Sequence, residues 1–255
     1  MSSIEEALED PSFVPFTVAG YPDVERSKEM VRALIDSGAD VVELGVPFSD
    51  PMADGPTIKE ADHAALQAGT TVDEVFEISS EFGDTPIVLL AYANTVYSYG
   101  YQEFVDDADS AGVEGLIIPD MPPGEFREEF SDVDSPLDHI FLVSQNTPEE
   151  RIETIGEMTE GFAYLVSVKG TTGARDEFSS KSRGLVEKTE GMDVPRCIGF
   201  GISGPEQART AIDSGADGVI MGSALIDRYR EDGPEGMREL AEKVSSAVEG
   251  DGDDF

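Results

Sequence analysis

The sequence predicts one α/β domain, a closed (β/α)8 barrel (TIM barrel) with an extra helix at its N-terminus. Three observations predict it. First, a phrase recurs: Asp36-Ser37-Gly38-Ala39-Asp40 runs into Val41 and Val42, and Asp213-Ser214-Gly215-Ala216-Asp217 runs into Gly218, Val219 and Ile220, with a looser copy at Asp109-Ser110-Ala111-Gly112-Val113. Each copy reads as a helix end, a glycine suited to the left-handed cap, and then a β-branched run. Second, eight short apolar runs lie along the 255 residues without polar–apolar alternation, as strands buried on both faces require. Third, helical patterns fill the intervals, which makes the sheet parallel, and the length fits closure. An open doubly wound sheet shares this local pattern, so pattern alone leaves closure open.

Taken in order, the acidic segment 1–10 lacks the charged-then-apolar layout of a signal peptide and is the place of the extra helix. The first apolar run is 13–18. A helix over 24–37 follows, with Asp23 as N-cap and Met30, Val31, Leu34 and Ile35 as its apolar stripe. The second run is 40–44. Helical patterns near 59–67 and 72–82 lead to the third run, 86–90, and another near 101–110 leads to the fourth, 115–118. Pro-rich 119–123 lies between a strand and the helix near 123–131, so it reads as a loop. After the fifth run, 138–143, Thr147 and Pro148 suit the cap and first residue of a helix over 148–158. The sixth, seventh and eighth runs, 162–166, 196–199 and 217–220, alternate with helices near 182–190, 204–213 and 234–248. No domain boundary interrupts 1–255, and the acidic tail 249–255 is expected to fray.

Charge narrows the function classes. Asp and Glu number 54 against 17 Lys and Arg, a formal net charge of −37. Such a chain repels phosphate backbones and anionic bilayers, so neither nucleic acid nor a membrane is an expected partner. The acids are spread through the sequence, which points to a salt-adapted (halophilic) protein. In molar salt the Debye length falls to about 3 Å and self-repulsion is screened. Cys197 is the single cysteine, in a run that reads as core, so no intrachain disulfide is possible. No apolar run is long enough to cross a membrane, and the default location is the cytoplasm. His63 and His139 have no metal-ligand spacing and read as structural; no metal site is expected.

In such barrels chemistry sits at the C-terminal ends of the strands. Glu43 ends a buried strand there. Partial burial would raise its pKa toward the range useful for acid–base work, whereas a rim position on backbone amides would leave it structural. The loop that follows, to Pro56, is rich in proline and aspartate and long for a strand–helix connection, a common mark of function. Two glycine turns, Gly199-Phe200-Gly201-Ile202-Ser203-Gly204 and Met221-Gly222-Ser223, precede helix starts and suit a phosphate site; ordinary capping by Ser203 and Ser223 is the alternative. The segment 167–178 carries Lys169 and Arg175 and reads either as a lid or as a solvated loop.

Four stretches together resemble the tryptophan synthase α subunit family, in order from about residue 12 to about 248. They are Phe13-Val14-Pro15-Phe16, the loop Glu43-Leu44-Gly45-Val46-Pro47-Phe48-Ser49-Asp50-Pro51-Met52-Ala53-Asp54-Gly55-Pro56, Gly170-Thr171-Thr172-Gly173, and Gly199-Phe200-Gly201-Ile202-Ser203. The resemblance implies a lyase of tryptophan biosynthesis that cleaves indole-3-glycerol phosphate to indole and glyceraldehyde 3-phosphate. It implies Glu43 as the acid–base and Asp54 as acceptor for the indole N–H. Phosphate would lie on Gly173, Gly201, Gly222 and Ser223, with Phe16 and Tyr164 lining the pocket and Tyr164 positioning Glu43. Thr172 matches the lid threonine that closes over Asp54. The chain itself would need no cofactor. Its partner would be a pyridoxal-phosphate β subunit in an αββα heterotetramer, docked on the loop 47–55, the segment 92–94 and the segment 119–122. Departures stand at Val168, where many relatives carry Arg, and at Tyr21, where many carry Asp. Another phosphate-binding barrel, such as indole-3-glycerol phosphate synthase, would be expected to use a lysine acid. A non-catalytic activator of a β subunit would be expected to lose Glu43 or Asp54.

Overall fold

A computed structural model describes residues 1–52, 54–166, 175–199 and 201–250. Among the described residues, nine strand segments form one parallel sheet: β1 (Ser12–Val18), β2 (Val42–Gly45), β3 (Ile87–Leu90), β4 (Val113–Ile117), β5 (Asp138–Ile140), β6 (Leu142–Ser144), β7 (Ala163–Val166), β8 (Arg196–Gly199) and β9 (Gly218–Met221). Their order is β5-β4-β3-β2-β1-β9-β8-β7-β6. The two ends of that order, β5 and β6, are separated in the chain only by Phe141. The ring is therefore closed through the backbone, and the open-sheet alternative is removed.

The fifth apolar run accordingly appears as two segments. Asp138, His139 and Ile140 pair with β4, whereas Leu142, Val143 and Ser144 pair with β7. Tilted, staggered strands in a barrel meet their two neighbours at different heights, so one strand shows a partner on one side first and on the other side later. The Phe141 carbonyl accepts the Tyr164 N–H at 3.1 Å, which carries the ladder across the break.

The helices are α1 (Ser3–Ala7), α2 (Val24–Asp36), α3 (Pro56–Ala68), α4 (Val72–Ser79), α5 (Ala93–Tyr99), α6 (Tyr101–Ser110), α7 (Pro123–Glu129), α8 (Glu149–Met158), α9 (Arg175–Lys188), α10 (Pro205–Asp213) and α11 (Ser223–Glu249). Asp23 caps α2 as expected, its carboxylate accepting the Arg26 N–H at 3.0 Å. Three expectations need correction. Pro148, not Thr147, is the cap residue of α8; the Thr147 hydroxyl turns back to accept the Ser144 N–H at 2.9 Å. Helix α5 was not expected, because Ala93–Tyr99 has too few apolar residues to make a stripe. The last helix starts eleven residues early, at Ser223, and kinks at Gly233 (φ 73°) before Pro234. Of the tail, Glu249 is helical and Gly250 is its left-handed cap, and 251–255 lies outside the described residues.

The recurring phrase has a structural job. Asp40 accepts the Phe13 N–H at 2.8 Å, and Asp217 accepts the Arg196 N–H at 2.8 Å, so each acid holds the start of the neighbouring strand. Inside the barrel, small and large residues face one another. A Cβ at Gly115 would meet Ile4, Ile140 and Val88 at about 3 Å, so the N-terminal helix plugs the barrel floor with Ile4. Cys197 is fully buried against Gly218, as its core reading requires.

Candidate active site

Parallel pairing sets Phe16 beside Glu43, and Glu43 beside Val88, on one layer of the barrel. Inward-facing neighbours in register must share space, and glycine supplies it. A Cβ on Gly45 would lie 2.8 Å from the Phe16 ring, and one on Gly222 only 2.6 Å from it. Phe16 thus stands between the ends of β2 and β9 because both neighbours lack a side chain. Gly199 makes the same room for the Tyr164 ring, which a Cβ there would approach to 2.5 Å.

Glu43 is fully buried, and neither carboxyl oxygen has a hydrogen-bond partner among the described residues. Burial, helped by the negative charge of Asp54, pushes its pKa up to about 8. At neutral pH the carboxyl is therefore protonated and able to donate. The rim alternative, with backbone amides on the carboxylate, does not hold. Tyr164 is buried close by. Burial is the main cause and the charges of Glu43 and Asp54 add to it, so its phenol is held far above its ordinary range and stays neutral.

Asp54 approaches from the loop after β2. The Tyr92 hydroxyl donates to its Oδ2 at 2.8 Å, and the Tyr92 ring stacks on Phe48 at 5.0 Å between centroids. Burial raises the Asp54 pKa, while the Tyr92 hydrogen bond and the charge of Lys59 work against that rise. The site so holds two carboxyls in different environments, one unsatisfied and protonated, the other hydrogen-bonded. Such a separation lets neighbouring acids take different roles.

The glycine turns reach the same end of the barrel. Gly201 has φ +83°, a conformation that disfavours any side chain. Gly204 and Gly222 are the N-cap residues of α10 and α11, and neither helix start has a side-chain cap. Capping by Ser203 and Ser223 is thus corrected: Ser223 is the first helical residue of α11. Uncapped N–H groups at a helix start, with the positive end of its dipole, suit an anion.

Phe16, Glu43, Asp54, Tyr164, Gly201, Gly222 and Ser223 thus come to one end of the barrel. Thr172, Gly173, Val168 and Lys169 lie outside the described residues. Tyr21 is buried with its ring edge against Tyr229, 6.1 Å between centroids. His139 packs on Phe126 and Phe130, and burial lowers its pKa to about 4. Neither histidine joins a metal-holding cluster among the described residues. Two residues of the site escaped the sequence reading. Tyr92 had been placed only on a docking segment. Asp62 on α3 is 4% exposed, its Oδ2 has no hydrogen-bond partner among the described residues, and burial together with the charge of Asp54 pushes its pKa up to about 7. Its signal was present, because it falls on the same face of α3 as Ala61 and Ala65.

The chain is similar to known proteins over most of its length. A model of the tryptophan synthase alpha chain family matches residues 3–250. The tryptophan synthase alpha chain of Methanoregula boonei is 47% identical, with 85% of this chain and 83% of the relative covered. That of Haloferax volcanii is 40% identical, covering 97% and 91%. Among solved structures, a ligand-free tryptophan synthase from M. tuberculosis superposes with TM-score 0.88 at 32% identity, covering 98% of this chain and all of that one. A chain of the tryptophan synthase a2b2 complex from Pyrococcus furiosus superposes with TM-score 0.85 at 38% identity, covering 94% and 98%.

Proposed function

The chain belongs to the tryptophan synthase alpha chain family, and from that premise we propose how its own residues perform the family's reaction. The reaction is the retro-aldol cleavage of indole-3-glycerol phosphate to indole and glyceraldehyde 3-phosphate, a step of tryptophan biosynthesis. Glu43 protonates C3 of the indole ring, and the charge that develops on the ring nitrogen is met by Asp54 through the indole N–H. The resulting Glu43 carboxylate takes the proton of the glycerol hydroxyl. The C3–C3′ bond then breaks: its electron pair returns to the ring and the hydroxyl carbon becomes the aldehyde. One proton leaves Glu43 and one returns, so the enzyme is regenerated.

Phe16 and Tyr164 line the indole pocket beside Glu43. Gly201, Gly222 and Ser223 bind the phosphate through backbone N–H groups; a share for Gly173 in the phosphate site and a lid role for Thr172 are what the family resemblance implies. One observation carries the assignment: a fully buried carboxyl without a hydrogen-bond partner at Glu43, next to the Tyr92-bound carboxyl of Asp54. Leaving a buried carboxyl unsatisfied costs stability, and a substrate-facing role gives a reason to keep it.

The α chain is the cofactor-free catalytic subunit of its complex; pyridoxal phosphate belongs to the β subunit, and the assembly is αββα. No helix of the described residues is long and apolar enough to cross a membrane. Our reading further includes one domain over 1–255, a cytoplasmic location and adaptation to high salt. The salt reading is supported by the net charge of −37 and by the relative in Haloferax volcanii.

The test is an indole-release assay on indole-3-glycerol phosphate in molar KCl, with and without β subunit. Glu43→Gln is expected to lose nearly all turnover while glycerol 3-phosphate still binds. Asp54→Asn is expected to lose on the order of 10²–10³ in rate, the usual effect of removing one positioned charge-stabilising contact. Turnover by Glu43→Gln at the parental rate would sink the assignment of the proton donor.

A further inference from the structure

We propose that Thr57 and Asp227 are positioning residues for the cleavage: their hydrogen bond sets the span between the carboxylate that meets the indole and the amides that hold the phosphate. This assignment rests on the readings of Asp54 as the acceptor of the indole N–H and of Gly222 and Ser223 as phosphate donors. The substrate then touches two elements far apart in the chain. At its indole end stands Asp54, three residues before Thr57 and at the threshold of α3. At its phosphate end stand Gly222 and Ser223, the N-cap and first residue of α11, with Ser223 about one helical turn before Asp227. The Thr57 hydroxyl crosses between the two helices and donates to Asp227, 3.0 Å from Oδ1 and 3.2 Å from Oδ2. One turn farther along, Arg230 of α11 lies 2.7 Å from Glu60 of α3 and 3.6 Å from Asp227.

Local structure alone leaves the start of α3 weakly fixed. Its N-cap is Gly55, which has no side chain to bond the first-turn N–H groups, and Pro56 follows it. A Cβ at Gly55 would meet nothing within 4 Å, so packing does not clamp that residue either. Thr57 supplies a tie from outside the helix. The start of α11 also has no side-chain cap, which leaves its amides open to an anion. The hydrogen bond thus braces two helix starts against each other, one carrying each end of the substrate site. The Arg230–Glu60 pair beside it is half-exposed, and molar salt weakens it. The partly buried bond from the neutral Thr57 hydroxyl is screened much less. Displacing a catalytic group by about 1 Å can cost on the order of 10²-fold in rate, so a brace at this place bears on turnover.

The experiment compares Thr57→Val, Thr57→Ser, Asp227→Ala and the double variant Thr57→Val/Asp227→Ala with the parent and with Asp54→Asn, in molar KCl with β subunit present. It measures kcat and KM for indole release, and binding of two probes. Glycerol 3-phosphate reaches the phosphate end only, whereas indole-3-propanol phosphate, the substrate skeleton without its hydroxyls, reaches both ends. Thr57→Val keeps the shape and loses the donor. Its kcat is expected to fall on the order of 10- to 10²-fold, and indole-3-propanol phosphate is expected to bind more weakly. Glycerol 3-phosphate binding is expected to stay unchanged, since the phosphate amides are untouched. Thr57→Ser keeps a hydroxyl and is expected to recover most of the lost kcat. Asp227→Ala is expected to match Thr57→Val, and the double variant to be no worse than the poorer single, because both remove the same bond. Should Asp227→Ala fail to fold, Thr57→Val set against Thr57→Ser decides the matter. Parental kcat in Thr57→Val overturns the inference, as do Thr57→Ser as poor as Thr57→Val and losses that add in the double variant. Equal weakening of both probes also overturns it, because the phosphate turn and not the span would then be disturbed. If Asp54→Asn is itself fully active, the reading of Asp54 falls first; if Asp54→Asn is crippled and Thr57→Val is not, only the inference about Thr57 and Asp227 falls.

Discussion

Glu43 shows how one residue couples stability to chemistry. Its folded pKa of about 8 lies above the ordinary carboxylate range. Across that window the folded chain keeps a proton that the unfolded chain has released, so the contribution of Glu43 to stability falls as pH rises from the usual carboxylate range to about 8. Glu43→Gln removes the penalty. Its melting temperature is expected to exceed that of the parent by a margin that grows with pH over this window and then levels off, with a limit on the order of a few kcal/mol. Thermal melts at several pH values in molar KCl check it; a margin that does not grow with pH would mean that Glu43 ionises as freely folded as unfolded. The importance of Glu43 was legible in the sequence from its place at the end of a buried run. Its lack of partners was not, because the neighbours that might have satisfied it come from other strands.

At the scale of the element, the recurring Gly-Ala-Asp phrase joins strands. Asp217 accepts the Arg196 N–H and also the Arg196 Nε at 3.0 Å. That side-chain pair is partly exposed and adds little in salt, whereas the backbone N–H at the start of β8 would be left without its partner. Asp217→Ala is expected to destabilise the fold by roughly 1–3 kcal/mol, measured by denaturant unfolding in molar KCl. A cost near zero would show that water replaces the carboxylate freely. The phrase itself, the strand runs and most helices were readable from glycine caps and apolar spacing. Helix α5 was not, since its place is set by tertiary contacts, among them the Asp120 carboxylate that accepts the Ala93 N–H at 2.8 Å.

For the molecule as a whole, the governing quantity is the net charge of −37. The few cations are used as bridges between acids: Lys28 lies 2.7 Å from both Glu77 and Glu81, and Arg230 lies 2.7 Å from Glu60. Such pairs leave most of the acidic surface uncompensated, and repulsion within it weakens only when salt shortens its range. The protein is expected to lose melting temperature steadily as KCl is lowered from molar to millimolar concentration. Binding to an acidic β subunit is expected to weaken in parallel. A melting curve indifferent to salt would remove the salt-adapted reading.

From the sequence alone came the alternation of strands and helices, the barrel length, the loop bearing Glu43 and Asp54, and the glycine turns. All of these are written in spacing between neighbours along the chain. Closure of the sheet through Phe141, the seat of the Phe16 ring between Gly45 and Gly222, the Tyr92 hydrogen bond to Asp54 and the buried carboxyl of Asp62 were decided only when distant segments met. The reason is physical: periodicity records which face of an element turns inward, but burial and hydrogen bonding depend on which atoms stand opposite, and those arrive from elsewhere in the chain.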